Sequence, residues 1–319
     1  MSKDIWLVTG GAGFIGSHIA ETLVRQGKKV RILDNFSTGR RDRIAPFLHK
    51  VELLRGDIRH LPTCRKAVKG AAYVLHQAAI RSVPKSMDRP AESHEANTTG
   101  TLNMLVAARD AKVRRLVYAS SSSAYGDGEL FPQRESHRPG PISPYAVSKL
   151  CGEHYAIVFA KGMGLETVSL RYFNVFGPRQ DPESLYSAVI PKFMEQAYRG
   201  IPLDVHWDGR QSRDFTHVSD VVQANLLAAR SAKGVGSVFN IANGRTHSLL
   251  EIVRVVEKLA GRKLDLRFHP KRAGDVRKTW ADISRAGSVL GFRPKMTFPE
   301  GLADTWAYFT KVYFIKGKR

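Results

Sequence analysis

Ile5-Trp6-Leu7-Val8-Thr9-Gly10-Gly11-Ala12-Gly13-Phe14-Ile15-Gly16 is the stretch from which the rest of the chain is read. Its first five residues form a short apolar run of the kind expected of a strand buried on both faces. The pattern over residues 17–26 predicts a helix, so the glycines at 10, 13 and 16 fall on a strand–turn–helix. At that spacing the bare backbone can approach a pyrophosphate, and the free N–H groups and dipole of the helix start favour the anion. Glycines alone would fit any tight turn; the strand before and the helix after make the nucleotide reading specific. Phe14 and Ile15, inside the turn, join Gly10, Gly13 and Gly16 as candidate cofactor contacts.

The next predicted strand, residues 29–33, runs into Asp34 and Asn35. An acid there, about twenty residues beyond the glycines, suits the two ribose hydroxyls of adenosine and repels a 2′-phosphate. This favours NAD, while Arg40 and Arg41 keep NADP open. A third strand is predicted over 51–54, followed by Gly56-Asp57-Ile58, with Asp57 placed to reach adenine and Ile58 beside it. Residues 73–79 read as a fourth strand, 97–110 as a helix and 116–120 as a fifth strand. Strands alternating with helices predict an α/β fold with a doubly wound parallel (Rossmann) sheet.

The fifth strand delivers hydroxyl groups: Leu116-Val117-Tyr118-Ala119 is followed by four serines, Ser120 to Ser123, and then Ala124-Tyr125-Gly126. Ser143-Pro144-Tyr145-Ala146-Val147-Ser148-Lys149 opens a helix, with Ser143 as N-cap and Pro144 in the first turn, where no N–H is needed. Tyr145 and Lys149, four apart, share a helix face. A phenol titrates near ~10, too high for a base at neutral pH, and an ammonium beside it favours the phenolate. A serine at the strand end can hold a substrate oxygen while the tyrosine takes or returns its proton. That predicts a site for oxidising an alcohol beside a hydride acceptor. Tyr-x-x-x-Lys alone arises by chance; the serines and the N-terminal glycines give it meaning.

The 319 residues suffice for one large domain or two coupled ones. A hydrophobic share of 43% and a charged share of 25% are ordinary for a soluble globular chain, and no run reads as a signal peptide or a bilayer span. Cys64 and Cys151 are the only cysteines, which excludes a disulfide framework and a thiolate zinc site; no metal is expected, and a reducing cytoplasm is the expected compartment. The 50 basic against 29 acidic residues give a formal charge of +21, spread along the chain with no nucleic-acid signature. Such an excess can mean nucleic acid or membrane, and it can also mean only an anionic substrate; neither a specific nucleic-acid partner nor membrane insertion is expected.

Val8-Thr9-Gly10-Gly11-Ala12-Gly13-Phe14-Ile15-Gly16, His76-Gln77-Ala78-Ala79, the serine strand, Tyr145-x-x-x-Lys149 and Leu170-Arg171-Tyr172-Phe173-Asn174-Val175-Phe176-Gly177 together resemble the extended short-chain dehydrogenase/reductases, and more narrowly the nucleotide-sugar (UDP-glucose/UDP-N-acetylglucosamine) 4-epimerases. The motifs lie in order over nearly the whole chain. The resemblance implies Tyr145 as base and acid and as a cofactor contact, Lys149 as its partner and a contact of the nicotinamide ribose, and Ser121 as the catalytic hydroxyl. It sets Ser82, Ser122 and Ser123 at the substrate, and Ala78, Asn97 and Tyr172 near the cofactor. An NAD-binding domain is implied over 1–173, with the chain returning to it at 214–245 through a helix over 217–230 and a strand over 238–242. Residues 174–319 would form a smaller α/β substrate lobe. In it Asn174 matches a contact to the nucleotide-sugar phosphates, and Tyr186-Ser187-Ala188-Val189-Ile190-Pro191, with Val189 as contact, matches the segment over the uridine. Arg213 and Arg272 match the arginines that clamp the pyrophosphate, a role suited to the guanidinium fork. Asp275 would meet the nucleotide ribose. In so basic a chain, plain surface arginines are the competing reading.

Related 4,6-dehydratases carry an Asp-Glu pair after the catalytic hydroxyl and UDP-glucuronate decarboxylases a glutamate, where this chain has Ser122 and Ser123. The resemblance therefore implies 4-epimerisation of a UDP-hexose. Tyr145 takes the C4 hydroxyl proton as the hydride passes to NAD, the 4-keto sugar turns about its anchored pyrophosphate, and both return on the other face. UDP-glucose and UDP-galactose are the expected substrates. Thr279, small where strict UDP-glucose/galactose epimerases carry tyrosine, extends the expectation to UDP-GlcNAc and UDP-GalNAc, and Val83-Pro84-Lys85-Ser86 resembles the UDP-GlcNAc/UDP-Glc group. Arg81 stands where relatives vary. UDP-glucuronate 4-epimerase is the alternative; a non-catalytic NAD-binding sensor is an alternative of another class, marked by loss of the tyrosine, lysine or serine, all of which are present. Trp207 departs from the family, where a glycine precedes Asp-Gly, and either narrows the sugar pocket or packs outward. A homodimer through helices beginning near Asn97 and Pro144 is implied by analogy. Trp306, Tyr308, Phe309, Tyr313 and Phe314 interleave with Lys311, Lys316, Lys318 and Arg319. Weak association with a lipid surface is one reading of this tail, and a terminal helix packed on its own domain is the expected one.

Overall fold

The computed structural model describes residues 4–181, 189–271 and 276–313. The strands of the first half are β1 (Ile5–Thr9), β2 (Lys29–Asp34), β3 (Val51–Arg55), β4 (Ala71–His76), β5 (Arg115–Ser121) and β6 (Glu166–Tyr172). The second half adds β7 (Val175–Phe176), β8 (Leu203–His206), β9 (Ser212–Asp214), β10 (Thr216–His217), β11 (Ser237–Ile241), β12 (Thr246–Ser248) and β13 (Leu266–His269). The helices are α1 (Phe14–Arg25), α2 (Arg41–Ile44), α3 (Leu61–Val68), α4 (Val83–Asp88), α5 (Pro90–His94), α6 (Gly100–Asp110) and α7 (Pro144–Gly162). They continue with α8 (Val189–Arg199), α9 (Val218–Arg230), α10 (Leu249–Ala260), α11 (Ser284–Leu290) and α12 (Phe298–Tyr308).

Seven strands form one sheet in the order β11-β6-β5-β4-β1-β2-β3, parallel at every pairing. Because successive side chains of a strand point to opposite faces, the two faces of this sheet carry separate cores. Trp6 and Val8 of β1 join Ile19 and Leu23 of α1 and Ala224 and Ala228 of α9 on one face. Leu7 joins Met104 and Leu105 of α6 and Phe159 of α7 on the other. Covered on both sides, the strands read as the continuous apolar runs that parallel sheets show. The chain comes back to this sheet late: β11 pairs with β6 from Ser237↔Val168 to Ile241↔Tyr172, and α9 packs on β5 and β6.

The strand order reverses at β1, with β2 and β3 to one side and β4, β5 and β6 to the other. In open α/β sheets the crevice beyond the carboxyl ends of the strands at such a point is the ligand site. The glycine turn after β1, the residues after β4 and the serines after β5 all lead into it. The remaining strands form three two-stranded pieces, β7 with β10, β8 with β13 and β9 with β12. With α8, α10 and α12 they enclose a third core around Phe193, Ile252 and Leu302.

Two expected elements differ from those found. The fourth strand stops at His76 instead of running to Ala79. Gln77 still donates its N–H to the Thr9 carbonyl at 3.2 Å, but the chain then leaves the sheet to pass under the glycine turn. A Cβ on Gly10, whose φ is +64°, would stand 2.9 Å from the Ala78 Cα. The helix expected over 97–110 begins as a π-helical turn over Glu95–Thr99 before α6 proper.

Candidate active site

The glycine turn is built by exclusion. A Cβ on Gly16 would lie 2.2 Å from the Gly10 carbonyl oxygen, so only glycine lets α1 start this close to β1. Gly13 is the N-cap of α1 and supplies no side chain to its free N–H groups. A helix of 12 residues thus points an uncapped N-terminus into the crevice, an arrangement that fits a pyrophosphate. Phe14 is buried and Ile15 half-buried at its start.

The ends of β2 and β3 are tied together beside this turn. Asp34 accepts the Ala12 N–H at 2.9 Å and the Phe36 N–H at 2.7 Å, and burial raises its pKa against those two hydrogen bonds. The Asn35 amide donates to Asp57 at 2.9 Å. Hydrogen bonds from Arg59 hold the Asp57 carboxyl well below the usual carboxylate range. Ile58 is buried against Gly100. Asn35 and Asp57 are thereby paired just past the ends of β2 and β3, while Asp34 is tied to the glycine turn through Ala12. Arg40 pairs with Asp42 at 2.9 Å.

Ser121 ends β5, and its hydroxyl oxygen accepts from the Ser123 N–H at 3.2 Å and the Ser123 hydroxyl at 2.9 Å. Ser122 opens the 3₁₀ turn Ser122–Tyr125 that follows. Ser143 caps α7, its hydroxyl oxygen accepting the Ala146 N–H at 3.2 Å, and Pro144 occupies the first turn. In the first turn of α7, Tyr145 stands beside Ser121. Burial raises the Tyr145 pKa, and a hydrogen bond with Ser121 and the charge of Arg81 pull it back down. Lys149 is buried one turn further on and donates to the Ala119 carbonyl at 2.7 Å, with the Tyr118 ring 5.0 Å from its ammonium. Burial lowers its pKa to about 7, against the pull of Glu153.

Behind this constellation lies a buried network that the sequence motifs do not single out. Glu153, four residues after Lys149, receives Arg171 through two hydrogen bonds of 2.8 and 2.7 Å and also accepts from the Ser120 hydroxyl. Arg171 lies over the Tyr125 ring at 4.6 Å, and Tyr125 donates to the Asn240 side chain at 2.7 Å. The signal was an arginine inside an apolar strand, because a buried charge demands a partner.

Several expected contacts use their polar atoms on the scaffold. Asn97 binds both the N–H and the carbonyl of Ile80, at 2.7 and 2.9 Å, and reaches Ser148 at 3.0 Å, so it fixes the loop after β4 to α7. Tyr172 bonds to Gln77 and Asn225. Ala78 donates its N–H to the Thr9 hydroxyl at 3.2 Å. The Ser82 oxygen caps α4 through the Lys85 N–H at 3.1 Å. Arg81, beside it, is exposed in the cleft, yet the surrounding protein lowers its pKa, against the nearby Tyr145 and Asp181.

On the other wall, Asn174 sits at a φ of +33° and donates to the Asp214 carbonyl at 3.0 Å and the Thr279 hydroxyl at 2.8 Å. Arg213 lies on β9, one of its guanidinium nitrogens donating to the Ser212 carbonyl at 3.0 Å. Val189 begins α8. Arg272, Asp275 and residues 186–188 of the expected uridine segment lie outside the described residues, as do residues 314–319 of the tail.

The sequence matches the NAD dependent epimerase/dehydratase family over residues 6–242. A UDP-glucose 4-epimerase of Thermotoga maritima, solved with UDP-glucose, is 36% identical and superposes with a TM-score of 0.92 over 96% of this chain and 99% of that one. A UDP-N-acetylglucosamine 4-epimerase of Methanobrevibacter ruminantium, solved with UDP-N-acetylmuramic acid, is 35% identical with a TM-score of 0.93 over 98% of this chain and 99% of that one. A UDP-glucose 4-epimerase of Thermus thermophilus, solved with NAD, is 37% identical with a TM-score of 0.88 over 97% and 99%. The glycine turn and the Ser121–Tyr145–Lys149 cluster both fall inside the matched span, and the chain belongs to the NAD dependent epimerase/dehydratase family.

Proposed function

We propose that this protein interconverts the C4 epimers of UDP-hexoses: UDP-glucose with UDP-galactose, and UDP-GlcNAc with UDP-GalNAc. The observation that carries the reading is a tyrosine beside a strand-end serine, one helical turn from a buried lysine, at the switch point of a sheet whose first helix is uncapped. Gly10, Gly13, Gly16, Asp34, Asn35 and Asp57 would hold the dinucleotide. Bound NAD would accept the C4 hydride and give it back.

The residues then divide the work. Ser121 holds the C4 oxygen in line with Tyr145, and Tyr145 takes the hydroxyl proton and later returns it. A charged Lys149 steadies the phenolate through the local field. Arg213 anchors the diphosphate from the second lobe while the hexose turns, and Asn174, its amide held by Asp214 and Thr279, shapes the wall beside it. Ser122 and Ser123 present hydroxyls, with no acid that would drive elimination. Thr279, bonded to Asn174, leaves space beside the sugar for an N-acetyl group.

We also assign the protein as a homodimer. Met87, Ile142, Val147 and Val158 are 60%, 57%, 53% and 55% exposed and lie around α4 and α7. An apolar face of this kind on a folded chain suits a second copy.

The test is to incubate the protein with UDP-galactose and, separately, with UDP-GalNAc, and to resolve the products by proton NMR. Formation of both gluco-sugars is expected, with Thr279→Tyr reducing turnover of UDP-GalNAc relative to UDP-galactose about tenfold or more. Conversion of UDP-glucuronate alone would move the assignment to that substrate, and no conversion of any of the three would leave a binding protein.

A further inference from the structure

Trp207 stands at the turn between β8 and β9 with a φ of +63°, in the left-handed region where glycine is at ease and a bulky side chain is not. Two cations lie against its ring, with Lys271 Nζ 4.4 Å and Arg277 Cζ 4.7 Å from the centroid. Arg277 also reaches both oxygens of the neighbouring Asp208, at 2.8 and 2.9 Å. The Trp207 N–H donates to the His269 carbonyl at 2.8 Å, which extends the β8–β13 pairing by one residue. One residue thus joins the end of β13 to residue 277.

Residues 277–279 run beside β9. The Ser212 N–H donates to the Arg277 carbonyl at 3.0 Å, the Thr279 N–H to the Ser212 carbonyl at 3.1 Å, and the Asp214 N–H to the Thr279 carbonyl at 2.9 Å. Alternate side chains of an extended run share a face, so Arg277 and Thr279 point the same way. Thr279 there accepts from Asn174. Arg277 thus opens the short run that carries Thr279 to Asn174.

We infer that Trp207 is a positioning residue: by gripping Arg277 it sets the register of residues 277–279 against β9, and through Thr279 and Asn174 the fit of the nucleotide sugar. The inference rests on the proposed function, which makes that wall the substrate side. Stability alone is a poor explanation of the tryptophan. A left-handed backbone carries a cost that glycine avoids, and cation–π contacts open to solvent are individually small. Strain retained beside a site is the usual mark of geometry that matters.

The experiment uses the full chain with Trp207→Gly, in which glycine accepts the backbone angle freely. Calorimetry gives Kd for UDP-glucose, steady-state kinetics give KM and kcat for UDP-galactose, and a thermal scan reports the fold. Expected are a rise of about tenfold in Kd and KM with kcat within about threefold, and a midpoint within about 5 °C of wild type. Arg277→Met should give the same shift, the double variant no more than either alone, and Trp207→Phe, which keeps an aromatic ring against the cations, a return toward wild type. Unchanged Kd and KM in Trp207→Gly, strictly additive effects, or a fall in midpoint and kcat with no change in KM would overturn the inference while leaving the epimerase reading intact. A wild-type protein that neither binds UDP-glucose nor turns over UDP-galactose would remove the proposed function and this inference with it.

Discussion

Tyr145 is fixed at its backbone, where its N–H donates to the Ser86 hydroxyl at 3.1 Å, and its phenol lies beside Ser121. Tyr145→Phe removes the proton carrier and little else. Its kcat for UDP-galactose should fall about 10³-fold, with copurified NAD, measured by absorbance after denaturation, unchanged. His76 offers a test of a different kind. It is fully buried between Thr9 and Thr101, and desolvation lowers its pKa from 6.5 to about 3. Between those values the unfolded chain binds a proton that the folded chain refuses. The stability it supports is complete above about pH 6.5 and is lost as pH falls toward about 3, at up to about 1.4 kcal/mol per pH unit. His18, lowered to about 4, adds to the same trend. Urea unfolding between about pH 6.5 and 4 should show this loss, and a shallower one in His76→Gln. At this scale the tyrosine, lysine and serine were legible because motif spacing maps directly onto one helix face and one strand end. The Glu153–Arg171 pair was not, because only the packing of α7 on β6 brings residues 153 and 171 together.

The element that matters most is α7, which carries both Tyr145 and Lys149 and packs on β5 and β6. Gly152 marks the contact: a Cβ there would come within 2.3 Å of the Tyr118 hydroxyl. Gly152→Ala raises helix propensity by about 1 kcal/mol, yet overpacking costs typically about 1–3 kcal/mol. The net expectation from urea unfolding is a destabilised protein. Loss of kcat should accompany it, because Tyr145 shifts with the helix. Ser143 and Pro144 announced the start of α7 in the sequence, since a cap and a first-turn proline are local chemistry. The end of β4 was not announced, since it is set by the passage of Ala78 beneath Gly10, a contact across 68 positions of chain. The short helices α4 and α5 likewise have too few residues for an apolar period to show.

For the whole molecule, alternation of strand and helix gave the layers, while the order of the strands came only with the structure. The switch point at β1 gathers the glycine turn, the loop after β4 and the serine strand into one crevice. Asn174 and Thr279 are brought together across 105 positions by the small β9 sheet, a relation that no sequence window contains. Among the described residues no helix is long and apolar enough to cross a membrane. The exposed apolar face around α7 predicts a light-scattering mass about twice the 35.5 kDa of the chain. Val147→Glu, on that face, should reduce the mass to that of one chain without unfolding it, as far-ultraviolet circular dichroism would record.

The central claim is that hydride leaves C4 and comes back to the same carbon. UDP-galactose carrying deuterium at C4, incubated with the purified protein in ordinary water without added cofactor, tests it directly. Deuterium retained at C4 of the UDP-glucose formed is the predicted result. Deuterium lost to solvent, or epimerisation that needs stoichiometric added NAD, would contradict it.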